Sequence, residues 1–183
     1  AECRDMGITL LPPDVNESDA DFTVAGENIR FGLVAIKGIG WGFIEELKAE
    51  RAAGGPFLTL DEFCRRMVPR DLNRRAVESL IKAGAFDSLG FKRRALLTAA
   101  GPIIESVTAD SRKNIAGQLD LFGMGGDEEE SRSVRTIPLP DVPEFTRQEL
   151  MTMERETTGL YLTGHPMDDY RDRSRDVGAV AIV

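Results

Sequence analysis

Ile36-Lys37-Gly38-Ile39-Gly40-Trp41-Gly42 is an apolar-Lys-Gly-apolar-Gly turn set between two short helical patterns. Its glycines permit positive φ and close backbone approach, and a helix that starts after them points unpaired N–H groups and the positive end of its dipole outward. An anion such as a phosphate suits that position. Lys37 adds a point charge, while Ile36 and Ile39 can anchor the turn in the core of its own helical pair. A lone Gly-x-Gly also occurs in ordinary helix-helix turns, so the heptapeptide alone leaves both readings open. The functional reading assigns a phosphate grip to Lys37, Gly38, Ile39 and Gly40.

Leu80-Ile81-Lys82-Ala83-Gly84-Ala85-Phe86 repeats the arrangement. An amphipathic helix ends at a glycine, a small residue and an apolar one follow, and a new helix begins. The pair reads as a tandem helix-hairpin-helix unit, in which Gly84 and Ala85 supply the second grip and the two turns hold both backbones of a duplex. Such contacts go to phosphates and carry no base code. Lys92, Arg93 and Arg94 crowd the first turn of the next helix, where the dipole disfavours cations. A solvated basic turn is the plain reading, and a turn held against phosphate accounts better for the violation. These three residues therefore join the expected DNA contacts.

Charge is distributed to match. Residues 1–28 carry one basic and seven acidic side chains, residues 29–116 fifteen and ten, and residues 117–183 seven and fourteen, within a net charge of −8. The only basic segment is the one that contains both hairpins, the asymmetry a phosphate-binding face requires. With 183 residues, 42% of them hydrophobic, the chain has material for one domain of ordinary size with extensions. No run of 18 apolar residues exists to span a membrane and no basic-then-apolar leader is present, so a cytoplasmic protein with no membrane partner is expected. Cys3 and Cys64 lack metal-ligand spacing and read as reduced thiols. A first residue other than methionine and a strand-like ending, Ala179-Val180-Ala181-Ile182-Val183, point to a piece of a longer chain.

Along the chain, residues 1–28 read as a connector, extended through Leu11-Pro12-Pro13-Asp14-Val15-Asn16 because the prolines exclude helix. Strands are expected around 8–11 and 22–24. Asp19-Ala20-Asp21 has the form that binds paired magnesium ions in polymerases, but it sits in an acidic loop without a third carboxylate and reads as a solvated loop. Residues 29–108 turn helical. Phe43, Ile44 and Leu47 mark one helix ending at Gly54-Gly55-Pro56, and a capping box at Thr59 to Glu62 opens another bearing Leu60, Phe63, Cys64 and Met67. Asn73 caps a third with Val77, Leu80 and Ile81. The last, from Leu96 to Val107, is expected to bend at Gly101-Pro102. Residues 109–145 lose periodicity and read as a flexible linker, glycine-rich, acidic and then proline-stiffened. Within it Gln118-Leu119-Asp120-Leu121-Phe122 displays three large apolar side chains, a composition suited to docking in a partner's pocket or to folding back on the helical core. A second capping box, Thr146 with Glu149, opens a helix that stops by Gly164 and Pro166. His165 has no Ser, Cys or acidic dyad at catalytic spacing and reads as structural.

These blocks in order, Gly7 to Asn16, Ile29-Arg30-Phe31-Gly32-Leu33 through Gly38, Leu80 to Asp87, and Gly159-Leu160-Tyr161-Leu162-Thr163-Gly164-His165-Pro166, resemble the alpha subunits of bacterial DNA polymerase III, the C-family replicative polymerases. The resemblance covers nearly the whole chain. It implies the region after the catalytic palm: the end of the fingers at 1–28, a tandem helix-hairpin-helix duplex-binding domain at 29–108, a linker at 109–145 whose Gln118 to Phe122 matches the sliding-clamp motif, and at 146–183 a helix leading into a truncated OB domain. The fold class expected is mainly α. The partners implied are double-stranded DNA, the sliding clamp and other subunits of the replicative polymerase. The palm's catalytic aspartates have no counterpart, so no catalytic residue, metal or cofactor is assigned to this stretch, magnesium being expected in the palm of the full polymerase. Two other readings use the same residues. A helix-hairpin-helix base-excision glycosylase would take Asp61 downstream of the first hairpin but needs a base-sized pocket and a second helical domain. A protein-interaction scaffold would show no salt-dependent affinity for DNA.

Overall fold

The computed structural model describes residues 6–70, 72–120, 137–164 and 166, with the backbone alone for 113–120. Among them the chain forms a small three-stranded sheet and five α-helices: β1 (Leu10–Leu11), β2 (Thr23–Ala25), β3 (Asn28–Arg30), α1 (Trp41–Gly54), α2 (Leu60–Met67), α3 (Arg74–Lys82), α4 (Arg93–Asp120) and α5 (Arg147–Thr158). The mainly helical class holds. Cys3, Leu121, Phe122, His165 and the expected start of an OB domain lie outside the described residues.

Strand order is β1-β3-β2, with β1 parallel to β3 and β2 antiparallel to it, Ile29 lying opposite both Leu10 and Val24. The helical pattern expected from Ile29 is thus corrected at its start. Thr23-Val24-Ala25, a turn at Gly26 with φ 63° and Asn28-Ile29-Arg30 make a hairpin, and only then does a 3-10 turn at Leu33–Ala35 begin. Between them Gly32 is required by contact: a Cβ there would stand 2.5 Å from the Asp21 carbonyl carbon and 2.7 Å from the Ala20 oxygen. That proximity lets Leu33 N and Val34 N donate to the carbonyls of Asp19 and Ala20.

The core gathers fully buried Phe31, Phe57, Phe63 and Phe86 with Leu33, Ile44, Leu47, Leu80 and Ile81. Phe63 meets Phe57 and Phe86 edge to face at centroid distances of 4.9 and 5.0 Å, an arrangement favoured by the ring quadrupole. Part of the segment expected as a connector, Val15 to Ala20, packs into this core. Val15 and Ala20 are buried, the Asn16 side chain exchanges hydrogen bonds with the Phe57 backbone at 2.7 and 2.9 Å, and Val15 N donates to Ala85 O at 2.9 Å.

Of the expected linker, the described residues 109–120 are helical. Helix α4 carries Pro102 inside it and continues to Asp120, since no breaker follows until Gly117, and Arg65 Nη1 meets Asp110 Oδ2 at 3.3 Å to hold the extension over α2. Past the undescribed stretch, Ile137 and Leu139 pack against the core. Each of α2 to α5 begins on an acceptor from its own chain. Thr59 and Asn73 cap α2 and α3, Thr146 and Glu149 form the full capping box of α5, and Glu144 accepts from Arg93 N and Arg94 N at the start of α4.

Candidate nucleic-acid interface

Helix α1 is the exception. Its N-cap is Gly40, which has no side chain to accept a bond, and no acidic residue occupies its first turn. The first-turn N–H groups, unpaired in any helix, are left without an acceptor among the described residues. The turn that leads into them is held from both sides. Ile36 is buried, Gly38 adopts φ +85°, and Lys37 N donates to Thr157 O at the end of α5 over 2.8 Å. A side chain at Gly38 would be strained by its φ and would press on Ser79 Oγ at 3.3 Å. Gly40 and Gly42 face open space. The backbone from 38 to 42 is consequently bare on its outer side.

Beside this turn lies a cleft of about 400 Å³ lined by Lys37, Gly38, Arg75, Glu78, Ser79, Lys82, Glu156 and Thr157. Lys37, Arg75 and Lys82 have no ion-pair partner among the described residues, whereas Glu78 is engaged by Arg74 at 2.8 Å. Three uncommitted cations therefore surround Gly38 with one carboxylate, Glu156, left over. Arg75 and Lys82 were not singled out by sequence reasoning. The signal was present, since positions 75, 79 and 82 fall at i, i+4 and i+7 on one face of α3.

The second hairpin is built differently. Gly84 has φ +84°, its N–H reaches Ile81 O at 3.0 Å, and Ala85 N reaches Leu80 O at 2.9 Å, which together form a Schellman ending for α3. Gly84 and Ala85 are buried, the Ala85 carbonyl receives Val15 N, and Asp87 N returns to Gly84 O at 3.1 Å. Arg93 lies directly over Gly84. Gly84 and Ala85, expected as the second phosphate grip, donate their N–H groups within the protein.

The basic triplet is similarly committed. Arg93, with a side chain only 4% exposed, pairs with Asp87 Oδ2 at 2.5 Å and Glu154 Oε1 at 3.0 Å. Burial opposes its charge, yet these two carboxylates outweigh burial and raise its pKa further. Lys92 Nζ meets Asp141 Oδ1 at 3.1 Å and Val142 O at 3.0 Å. Arg94 meets Glu149 Oε2 at 3.5 Å and lies 4.3 Å above the Phe145 ring. The unfavourable first turn of α4 is satisfied by Glu144, whose carboxylate takes the N–H groups of Arg93, Arg94 and Phe145 at 2.6, 3.1 and 2.8 Å. Burial works against its charged form, but those N–H donors and the Arg93 charge prevail and hold it below the usual glutamate range. Each of Lys92, Arg93 and Arg94 thus has a carboxylate partner within the chain.

Asp19 of the Asp-x-Asp sequence is drawn below its usual pKa chiefly by Lys48, 2.7 Å away. Burial pushes the Cys64 thiol up to about 12, so it is not a nucleophile. Gln118, Leu119 and Asp120 form the last turn of α4. Among the described residues no helix is long and apolar enough to cross a membrane.

A helix-hairpin-helix motif model matches residues 7–96. The chain is 40% identical over 168 residues to DNA polymerase III subunit alpha of Mycobacterium leprae (strain TN), covering 92% of the chain and 14% of that protein. It is 41% identical over 170 residues to the Vibrio cholerae subunit, again 92% and 14%, and 39% identical over 183 residues to that of Escherichia coli (strain K12), 99% and 16%. By sequence the chain is similar to DNA polymerase III alpha subunits over nearly its whole length, and it spans only 14 to 16% of the length of those relatives.

Proposed function

We propose that the chain grips the phosphate backbone of duplex DNA through its first hairpin, Lys37, Gly38, Ile39 and Gly40, assisted by Arg75 and Lys82, as part of a replicative DNA-directed DNA polymerase. One observation carries this reading: α1 alone among the five described α-helices begins without an acceptor, and its open N–H groups stand beside three unpaired cations. A phosphate oxygen supplies the missing acceptor and the counter-charge together. The second hairpin then acts as a buried brace that fixes α3 and its cations, and the basic triplet at 92–94 as its lock. In the same reading Gln118 to Phe122 docks on the sliding clamp, other polymerase subunits complete the assembly in the cytoplasm, and the catalytic magnesium belongs to the palm of the full polymerase.

The test is a titration of the chain with labelled duplex and single-stranded DNA by fluorescence anisotropy at several salt concentrations. Duplex affinity is expected to fall with log K losing about 0.9 per neutralised phosphate, with little dependence on sequence. Removing the charge at Lys37, Arg75 or Lys82 should reduce the slope by about one unit each, while Arg93→Ala, if folded, leaves it unchanged. Gly38→Val should weaken binding with an unaltered slope. Equal affinity for duplex and single strands, or full binding by Lys37→Glu, overturns the proposal.

A further inference from the structure

We infer that Trp41 is itself a DNA contact, its indole lying against the apolar sugar edge of the strand whose phosphates the first hairpin holds. This rests on the duplex-binding reading and adds to it a residue that carries no charge. Trp41 is the chain's single tryptophan and is 54% exposed. The other described aromatic residues are placed otherwise: four phenylalanines fill the core, half-exposed Phe22 rests edge to face on Phe31 at 4.8 Å, Phe43 and Phe91 pack on the core, and Phe145 and Tyr161 lie under arginines. Trp41 joins neither the core nor any such pair among the described residues. A tryptophan left in water forgoes the largest apolar burial any side chain offers.

Its position says what would cover it. Trp41 follows the N-cap Gly40 as the first residue of α1, and a helical Cα–Cβ bond tilts toward the N-terminus, so the indole leans toward the ligand that the open N–H groups await. Gly40 and Gly42 on either side face open space. Neither glycine carries a side chain that would screen the ring from a polymer lying along the turn, and Lys37, Arg75 and Lys82, without ion-pair partners among the described residues, make that polymer an anion. Deoxyribose carbons are the apolar surface nearest a phosphate held in this way. A sugar contact also keeps binding independent of base identity, as expected of a backbone grip.

With one tryptophan, intrinsic emission of the full chain reports this residue alone. Duplex is expected to quench or shift the emission with the same midpoint as the anisotropy titration, and to shield the indole from acrylamide. Trp41→Ala is expected to lower duplex affinity roughly tenfold without changing the salt slope, and Trp41→Phe to retain most of it. Circular dichroism of both variants should match the parent, since the ring lies outside the core. Duplex binding with unchanged acrylamide access to Trp41 and full affinity in Trp41→Ala overturns the inference and leaves the phosphate grip standing. Stronger shielding by single strands than by duplex at equal occupancy reassigns the ring to unpaired bases and also overturns it. Absence of any duplex binding removes both readings.

Discussion

Replacing Glu154 tests the brace behind the hairpin. The residue is fully buried, and its two oxygens take Arg93 Nη2 at 3.0 Å, Leu162 N at 2.9 Å, Thr163 N at 3.0 Å and Thr163 Oγ1 at 3.2 Å. Glu154→Ala leaves the Arg93 guanidinium, 4% exposed, with only the half-exposed Asp87 as counter-charge, and takes the acceptor from two part-buried N–H groups. Breaking one side of a buried pair costs about 3–5 kcal/mol. At roughly 2–4 °C per kcal/mol for a chain of this size, the melting temperature should fall by about 6–20 °C. Glu154→Gln keeps an acceptor and the shape but loses the charge, and should fall in between. Exposed Glu156→Gln, two residues on, should change stability by no more than about 0.5 kcal/mol. Urea unfolding followed by circular dichroism gives the numbers. The double variant Arg93→Met with Glu154→Met should lose less than the sum of its single changes, because no charge is left buried alone. A loss below about 1 kcal/mol in Glu154→Ala, or strict additivity in the double variant, would refute the reasoning.

Two further outcomes follow from the fold. Gly32→Ala should cost about 2 kcal/mol or more, because the atoms its Cβ would meet are backbone and cannot yield, while Gly42→Ala in open space at the helix start should be neutral or stabilising by up to about 1 kcal/mol; comparable losses from the two would contradict the close approach at Gly32. Glu144, held below its ordinary value of 4.5, contributes stability that is complete above that value and is lost as pH falls through the lower folded one. Glu144→Gln should therefore remove about 1 kcal/mol near neutral pH and flatten the acid limb of the stability profile, and an unchanged acid limb would show that the carboxylate is not capping α4.

Local physics made much of this architecture legible. Thr59, Asn73 and Thr146 announce helix starts because a cap is satisfied within two or three residues, and Gly38 and Gly84 are found where positive φ is needed. What could not be read is what depends on partners far away in sequence. Lys92, Arg93 and Arg94 looked like a phosphate site because a helix start bearing only cations is anomalous, but Glu144 resolves the anomaly from 51 and 50 residues beyond the N–H groups it binds. The same applies to Asn16, whose amide closes on Phe57 across 41 residues, and so to the N-terminal segment that read as a connector. The pseudo-repeat of the two hairpins misled in another way. Similar Gly turns share a backbone, but whether their N–H groups stay open depends on what packs above them: Arg93 over Gly84, and nothing among the described residues over Gly40.

The strap formed by Val15 and Asn16 has a consequence for the time the chain takes to fold. Helical domains in which most contacts are local form quickly, because little loop entropy must be given up before contacts repay it. Here the Val15–Ala85 and Asn16–Phe57 bonds cross most of the helical region, the Arg93–Glu154 pair closes a span of similar order, and the Lys37–Thr157 link closes a longer one. The helices can nucleate early, but the native core cannot seal until both ends of the described chain have returned to it. Folding paced by these long-range closures is expected to be slower than that of a helical bundle whose contacts are all local.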